Sequence, residues 1–154
     1  MTDVVTIVAA IGAAATAIIY GTDLFCALVL CPAANDASDR SVVELIGRVH
    51  HYGDRRLPPP GIAAIIAAAI VTAFADTATG RASAAVALIA LLAWLVIYLR
   101  VSAPVNKRLR EAAASNTVPD DTRALQQRWQ SVIWYRAALQ TIALAGLLTS
   151  IIAR

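Results

Sequence analysis

The sequence predicts an all-α integral membrane four-helix bundle with amphipathic cytoplasmic loop helices. Composition is the first reason: 59% of the 154 residues are hydrophobic and 15% charged, against roughly 45–50% and 25% in soluble globular domains. Mean hydropathy is +0.67. Patterning is the second: the apolar residues gather into four long runs, without the strict alternation of half-buried strands. Charge placement is the third, because ten of the 13 Lys and Arg fall in the two polar stretches between runs. These features exclude disorder and a disulfide-stapled secreted module, and they predict one domain over 1–154.

The first run, about 4–31, has Asp23 as its only charge. It exceeds the roughly 20 residues needed to cross a bilayer, so a tilt is expected. No Lys or Arg precedes it, so it reads as a retained span and not a signal peptide. Pro32 is expected to end it. Cys26 and Cys31, five apart, should sit on different sides of an α-helix as reduced packing residues.

The first polar stretch, 32–60, holds Arg40, Arg48, Arg55 and Arg56. Within it, 41–52 reads as an amphipathic helix with Val42, Leu45, Ile46 and Val49 on one side. The second run, 61–75, rises only about 22 Å, short of a hydrocarbon core of about 30 Å. Pro58, Pro59 and Pro60 should complete it as extended chain covered by protein. Ala64, Ala68 and Thr72 in this run suit close helix packing.

The third run, 82–103, lies between Arg81 and Arg100, and Pro104 should end or kink it. The second polar stretch, 100–128, holds Arg100, Lys107, Arg108, Arg110, Arg123 and Arg128. The fourth run, 132–153, reads as the second half of a helix starting near Val118. Thr117 and Asp120 would form a capping box there. Only Arg81 and Arg154 flank the opposite side. The positive-inside rule then puts both termini outside the cell (plasma or inner) membrane, and stretches 32–60 and 100–128 in the cytoplasm. The net charge of +3 is thus accounted for by topology. The expected partners are the lipid bilayer and a hydrophobic small molecule, with no nucleic acid; a homo-oligomer is compatible with the pattern.

Polar residues inside the runs mark the candidate site. Gly12, Thr16, Tyr20, Asp23 and Ala27 share one helix face, as do Arg136, Gln140, Ala143, Gly146 and Ser150. Lipid offers such groups no partner, so both faces should point inward. Asp23 lies roughly 12 Å in from Cys31 by helix rise, and Arg136 roughly 10 Å beyond Trp129, itself placed as an interfacial anchor. The matching depths predict a buried ion pair, with Tyr20 and Gln140 filling its remaining hydrogen-bond positions. Such a pair either latches helix register or floors a polar cavity; otherwise Arg136 snorkels to the interface. Trp94 and Tyr98, four apart, either wall a flat ligand or belong to an aromatic belt. The adjacent His50 and His51 lack the i, i+4 spacing of a helical metal pair, so no metal site and no cofactor is expected, with haem on either histidine the alternative. Either could act as a base near neutral pH. There is no nucleotide-binding or nucleophile motif.

Two segments carry a family resemblance. The run Tyr98-Leu99-Arg100-Val101-Ser102-Ala103-Pro104-Val105-Asn106-Lys107-Arg108-Leu109 is similar to the aromatic-then-P-x-N-x-x-L segment of the anthrone oxygenase-like group of small four-helix membrane proteins. Trp129 followed by Arg136 resembles its W-x(6)-R element. Ile133 stands where that family often has Asn or His. The resemblance implies, as for its characterised fungal members, oxidation of an anthrone to an anthraquinone with molecular oxygen. On that reading an apolar slot, a base and an oxyanion partner are needed. Asp23 would be the base and Arg136 the partner, with His50 or His51 as fallback base. Tyr20, Trp94, Tyr98, Asn106, Trp129 and Gln140 would contact substrate. Asn106 has a structural alternative, satisfying backbone groups freed by Pro104. The alternative function is non-enzymatic: binding a lipid, quinone or partner helix in the same cavity, or binding haem.

Overall fold

A computed structural model describes residues 2–153; Arg154, counted above for topology, lies outside them. The helices are α1 (Thr2–Phe25), α2 (Cys31–Asp36), α3 (Asp39–Arg56), α4 (Pro58–Phe74), α5 (Ala78–Ile97), α6 (Ala103–Ala114), α7 (Thr122–Gln130) and α8 (Ile133–Ile152). One π turn, Cys26–Leu30, joins α1 to α2, and a second, Tyr98–Ser102, joins α5 to α6. No strand occurs among the described residues.

Four long helices form a ring: α1 packs on α4 and α8, and α5 packs on the same two. The continuous stretches Asp3–Asp36, Ala78–Ala114 and Thr122–Ile152 are long and apolar enough to cross a membrane. α4 joins them only together with α3, from which it bends by 42°. The outward faces are apolar, with Ile11, Ile62, Ile89 and Leu148 all exposed, as lipid requires. At one end α3 packs on α6, and α7 on both, forming a cap. Val42, Val43, Ile46, Val105, Leu109 and Leu125 make its core.

The ring interior is built from small residues. Ala64, Ala68, Ala84, Ala87 and Ala143 are fully buried, which lets backbones approach. Gly146 lies at a close α5–α8 approach, where a Cβ would come within 2.6 Å of the Ser83 carbonyl oxygen. Gly47 does the same between α3 and α6, where a Cβ would sit 2.5 Å from the Leu109 carbonyl oxygen.

Several expected boundaries move. The first helix continues past Pro32 to Asp36, and the third past Pro104 to Ala114. Each proline follows a π turn by two residues. A proline lacks an N–H and crowds the carbonyl four residues back; the wider i→i+5 turn beforehand accommodates it. That turn also corrects the placing of the cysteines. The Cys31 N–H bonds the Cys26 carbonyl, so the two free, buried thiols share one core cluster.

Pro58, Pro59 and Pro60 are not extended; they form the first turn of α4, where a missing N–H costs nothing. α4 is thereby about 25 Å long. α3 begins at Asp39, capped by Ser38, and ends at Arg56. Its buried face is Val42, Val43, Ile46, Gly47 and His50, so Leu45 and Val49 lie off that face and are exposed, contrary to expectation. The capping box does not form either: Thr117 shares a hydrogen bond with Ser115 (2.9 Å), and α7 starts at Thr122 after Asp121. Asp121 is drawn to Arg108 at 2.8 and 3.2 Å.

Candidate functional site

Asp23 and Arg136 meet. The Arg136 Nη2 donates to Asp23 Oδ1 at 2.7 Å, and Gln140 Nε2 donates to Asp23 Oδ2 at 3.0 Å. The second guanidinium nitrogen, Nη1, donates to Ser102 Oγ at 2.8 Å. All four residues are buried. The pair joins α1 to α8, and Ser102 brings in the π turn after α5. The expectation that Tyr20 would help satisfy the pair is corrected: Tyr20 is only partly buried, and Ser102 takes that position. The fully exposed, snorkelling Arg136 does not occur.

Beside the pair lies a cavity of about 250 Å³ at the junction of ring and cap. Asp23, His50, Trp94, Tyr98, Asn106, Trp129 and Arg136 line it. Gln140 reaches it only through Asp23. Most of the remaining wall is apolar, including Ile19, Ile62, Ile65, Leu95 and Leu99. Trp94 and Tyr98 stack, with ring centroids 6.1 Å apart and 21° between planes. The Arg136 guanidinium lies 5.7 Å from the Tyr98 ring centroid. Two corrections concern the cap. Trp129 is no interfacial anchor; it is buried beneath the cap, 5.3 Å from the His50 ring. His51 does not line the cavity and instead hydrogen-bonds Arg55 at 2.8 Å.

A second carboxylate was not expected here. Asp54 Oδ1 accepts from Tyr98 Oη (2.9 Å) and Asn106 Nδ2 (2.8 Å), and Oδ2 pairs with Arg110 at 3.1 Å. Asn106 therefore binds a side chain and does not cap backbone freed at Pro104. Asp54 lies four residues after His50, one turn along the same helix face. That relation shows only once α3 runs to Arg56; a helix ending at Tyr52 hides it.

Both carboxylates are thus fully engaged, while other polar groups in the wall are not. His50 Nε2, Trp129 Nε1, Asn106 Oδ1 and Arg136 Nε are buried without a hydrogen-bond partner, and the Trp94 N–H faces Asp23 without good bonding geometry. Each such atom costs about 1–3 kcal/mol if it stays unsatisfied. Their concentration around one otherwise apolar cavity leaves a few fixed points at which an enclosed molecule's polar atoms would be held. In the cap, outside the apolar runs, burial pushes the His50 imidazole down to about 4, partly opposed by Asp54; the ring is neutral at physiological pH. Among the described residues, no three His, Cys, Asp or Glu side chains cluster to hold a metal ion.

A family model described as anthrone oxygenase matches residues 47–146. The chain belongs to the anthrone oxygenase family. The match covers the second half of α3, all of α4 to α7 and most of α8, so it contains every lining residue singled out above except Ile19 and Asp23. No curated protein and no solved structure matches the chain. Within the anthrone oxygenase match, the P-x-N segment supplies Asn106 to the Asp54 network, and the W-x(6)-R element supplies two walls of one cavity.

Proposed function

We propose that this protein is a cofactor-independent membrane oxidoreductase that oxidises a flat, hydrophobic aromatic ketone of the anthrone class with molecular oxygen. The observation that carries this reading is a neutral, unpartnered imidazole in an apolar cavity whose two carboxylates are already engaged. His50, not Asp23, is then the base: both Asp23 oxygens are already occupied by Arg136 and Gln140, whereas the His50 Nε2 has no partner and is free to accept a proton.

His50 accepts one of the two protons of the anthrone methylene. The electron pair left behind delocalises onto the ketone oxygen, and the Trp94, Trp129 and Arg136 N–H groups favour that oxyanion. The enolate reduces oxygen, and a carbon–oxygen bond forms to give a peroxide anion, which takes the proton back from His50 to become a hydroperoxide. His50 then accepts the second methylene proton as the oxygen–oxygen bond breaks, so a second carbonyl forms and the expelled hydroxide takes that proton from His50 to leave as water. Anthrone plus oxygen gives anthraquinone plus water. Trp94 and Tyr98 stack on the flat rings, and Asp54 holds Tyr98 in place.

In this reading the chain crosses the cell membrane four times, counting α4 as a span. The cap faces the cytoplasm and both termini lie outside, as the Lys and Arg distribution favours. The test is oxygen uptake by the purified protein with anthrone. Turnover lost in His50→Gln while helix content is kept supports the proposal. Full turnover in His50→Gln removes the assigned base. Saturable ligand binding with no turnover in the parent protein favours the non-enzymatic alternative, a binder of quinone or lipid.

A further inference from the structure

The cavity's apolar wall reaches the lipid-facing surface. Ile62 on α4 and Leu99 at the end of α5 both line it, yet they are 57% and 55% exposed. Ile65 and Leu95 lie one turn away on the same helices and line it too. On the cap side the wall is less open: Asp54 ties Tyr98, Asn106 and Arg110 together, Trp129 is buried, and the exposed lining residue there is Val49 on α3, at 38%. Of the unpartnered polar atoms of the wall, three are N–H donors, on Trp94, Trp129 and Arg136, and the other two are Asn106 Oδ1 and His50 Nε2, the base of the proposed reaction. A complementary guest presents acceptor oxygens and little that donates.

We infer that the cavity takes a flat, lipid-dissolved ketone or quinone sideways from the bilayer, through the α4–α5 seam between Ile62 and Leu99. This rests on the reading that the cavity is the substrate site. It adds the route and the reason product leaves again: a quinone, like the ketone, is an acceptor that partitions into lipid. Water-soluble analogues of the same ring system should therefore be poor ligands even where they fit.

The experiment uses the full chain in liposomes, carrying Trp134→Phe. Trp134 is exposed, so its removal leaves Trp94 and Trp129 as fluorescent reporters in the wall. Anthraquinone, a quencher, is the probe, and its binding and release are followed by stopped flow. Ile62→Phe with Leu99→Phe should slow both rates on the order of tenfold while the saturating quench is retained. Ile62→Ala with Leu99→Ala should speed both. Ile11→Phe with Ile89→Phe, exposed on other lipid-facing positions, should leave both unchanged. Rates that do not respond to either seam pair overturn the route, as does slowing confined to Val49→Phe on the cap. Absence of any saturable quench in the parent overturns the substrate-site reading itself, a result distinct from an unaltered rate.

Discussion

At the scale of single residues, Asp23 and Arg136 depend on each other more than on any other group. Removing one partner of a buried pair strands a charge and costs about 3–5 kcal/mol, whereas replacing both by apolar groups of similar size is close to neutral. Asp23→Leu alone should therefore lower thermal stability sharply, and Asp23→Leu with Arg136→Met should restore most of it. If the double variant is stable but cannot turn over anthrone, the pair serves the cavity as well as the fold. His50 gives a pH prediction. Its folded value, about 4, lies below the usual 6.5, so the unfolded chain binds the proton first as pH falls. The stabilisation from neutral His50 is present above about 6.5 and is lost down to about 4. Denaturation followed over that range should show a loss that His50→Gln lacks. The activity of the parent should fall near pH 4, where an exposed imidazole base would fail near 6.5. The ion pair was legible because two lone charges sat at matching depths in apolar runs. Asp54 was not, since its three partners are 44 to 56 residues away and it stands among other polar residues, where a charge needs no explanation.

At the scale of helices, proline rules misled for a single reason. Pro32 and Pro104 each promise a helix end, and each is carried through by a π turn that periodicity does not reveal. Those turns matter to the site. Cys26 opens one and Tyr98 the other, and both line the cavity; Ser102, on Arg136, closes the second. The α3–α6 contact offers the sharpest element-level test. A methyl group at Gly47 would lie 2.5 Å from the Leu109 carbonyl oxygen and 2.6 Å from the Ala113 Cβ, and neither backbone nor a methyl can swing aside. Gly47→Ala should cost about 1–3 kcal/mol through overpacking, read as a lowered midpoint of thermal unfolding. It should also weaken anthraquinone binding, because α3 carries His50 and Asp54 while α6 carries Asn106 and Arg110. Gly53→Ala, whose added Cβ would meet only the Leu57 side chain at 3.8 Å, is the matched control and should leave the midpoint nearly unchanged.

At the scale of the whole molecule, the four apolar runs and their basic flanks were readable because a bilayer imposes length and charge rules on sequence. The cap was not, because it is assembled from contacts between segments far apart. Arg123 on α7, for instance, binds Asp39 at 2.6 Å and the Ala34 carbonyl at 2.9 Å, and also the Ala37 carbonyl. The same charge distribution makes orientation testable. Arg40, Arg48, Arg55, Arg56, Lys107 and Arg108 all belong to the cap, while the other end has Asp76 in the α4–α5 turn and Arg81 in the first turn of α5. Each basic side chain near an anionic cytoplasmic leaflet is worth about 1 kcal/mol, so inverting the molecule would forfeit several. The native thiols are buried and should stay silent to a membrane-impermeant maleimide. Ala114→Cys, exposed at the end of α6, should then react only after cells are permeabilised, whereas Asp76→Cys, exposed at the opposite end, should react in intact cells. The reverse pattern would put the cap outside. Labelling of both in intact cells would mean that α5, the long helix between Asp76 and Ala114 in the chain, does not cross the membrane.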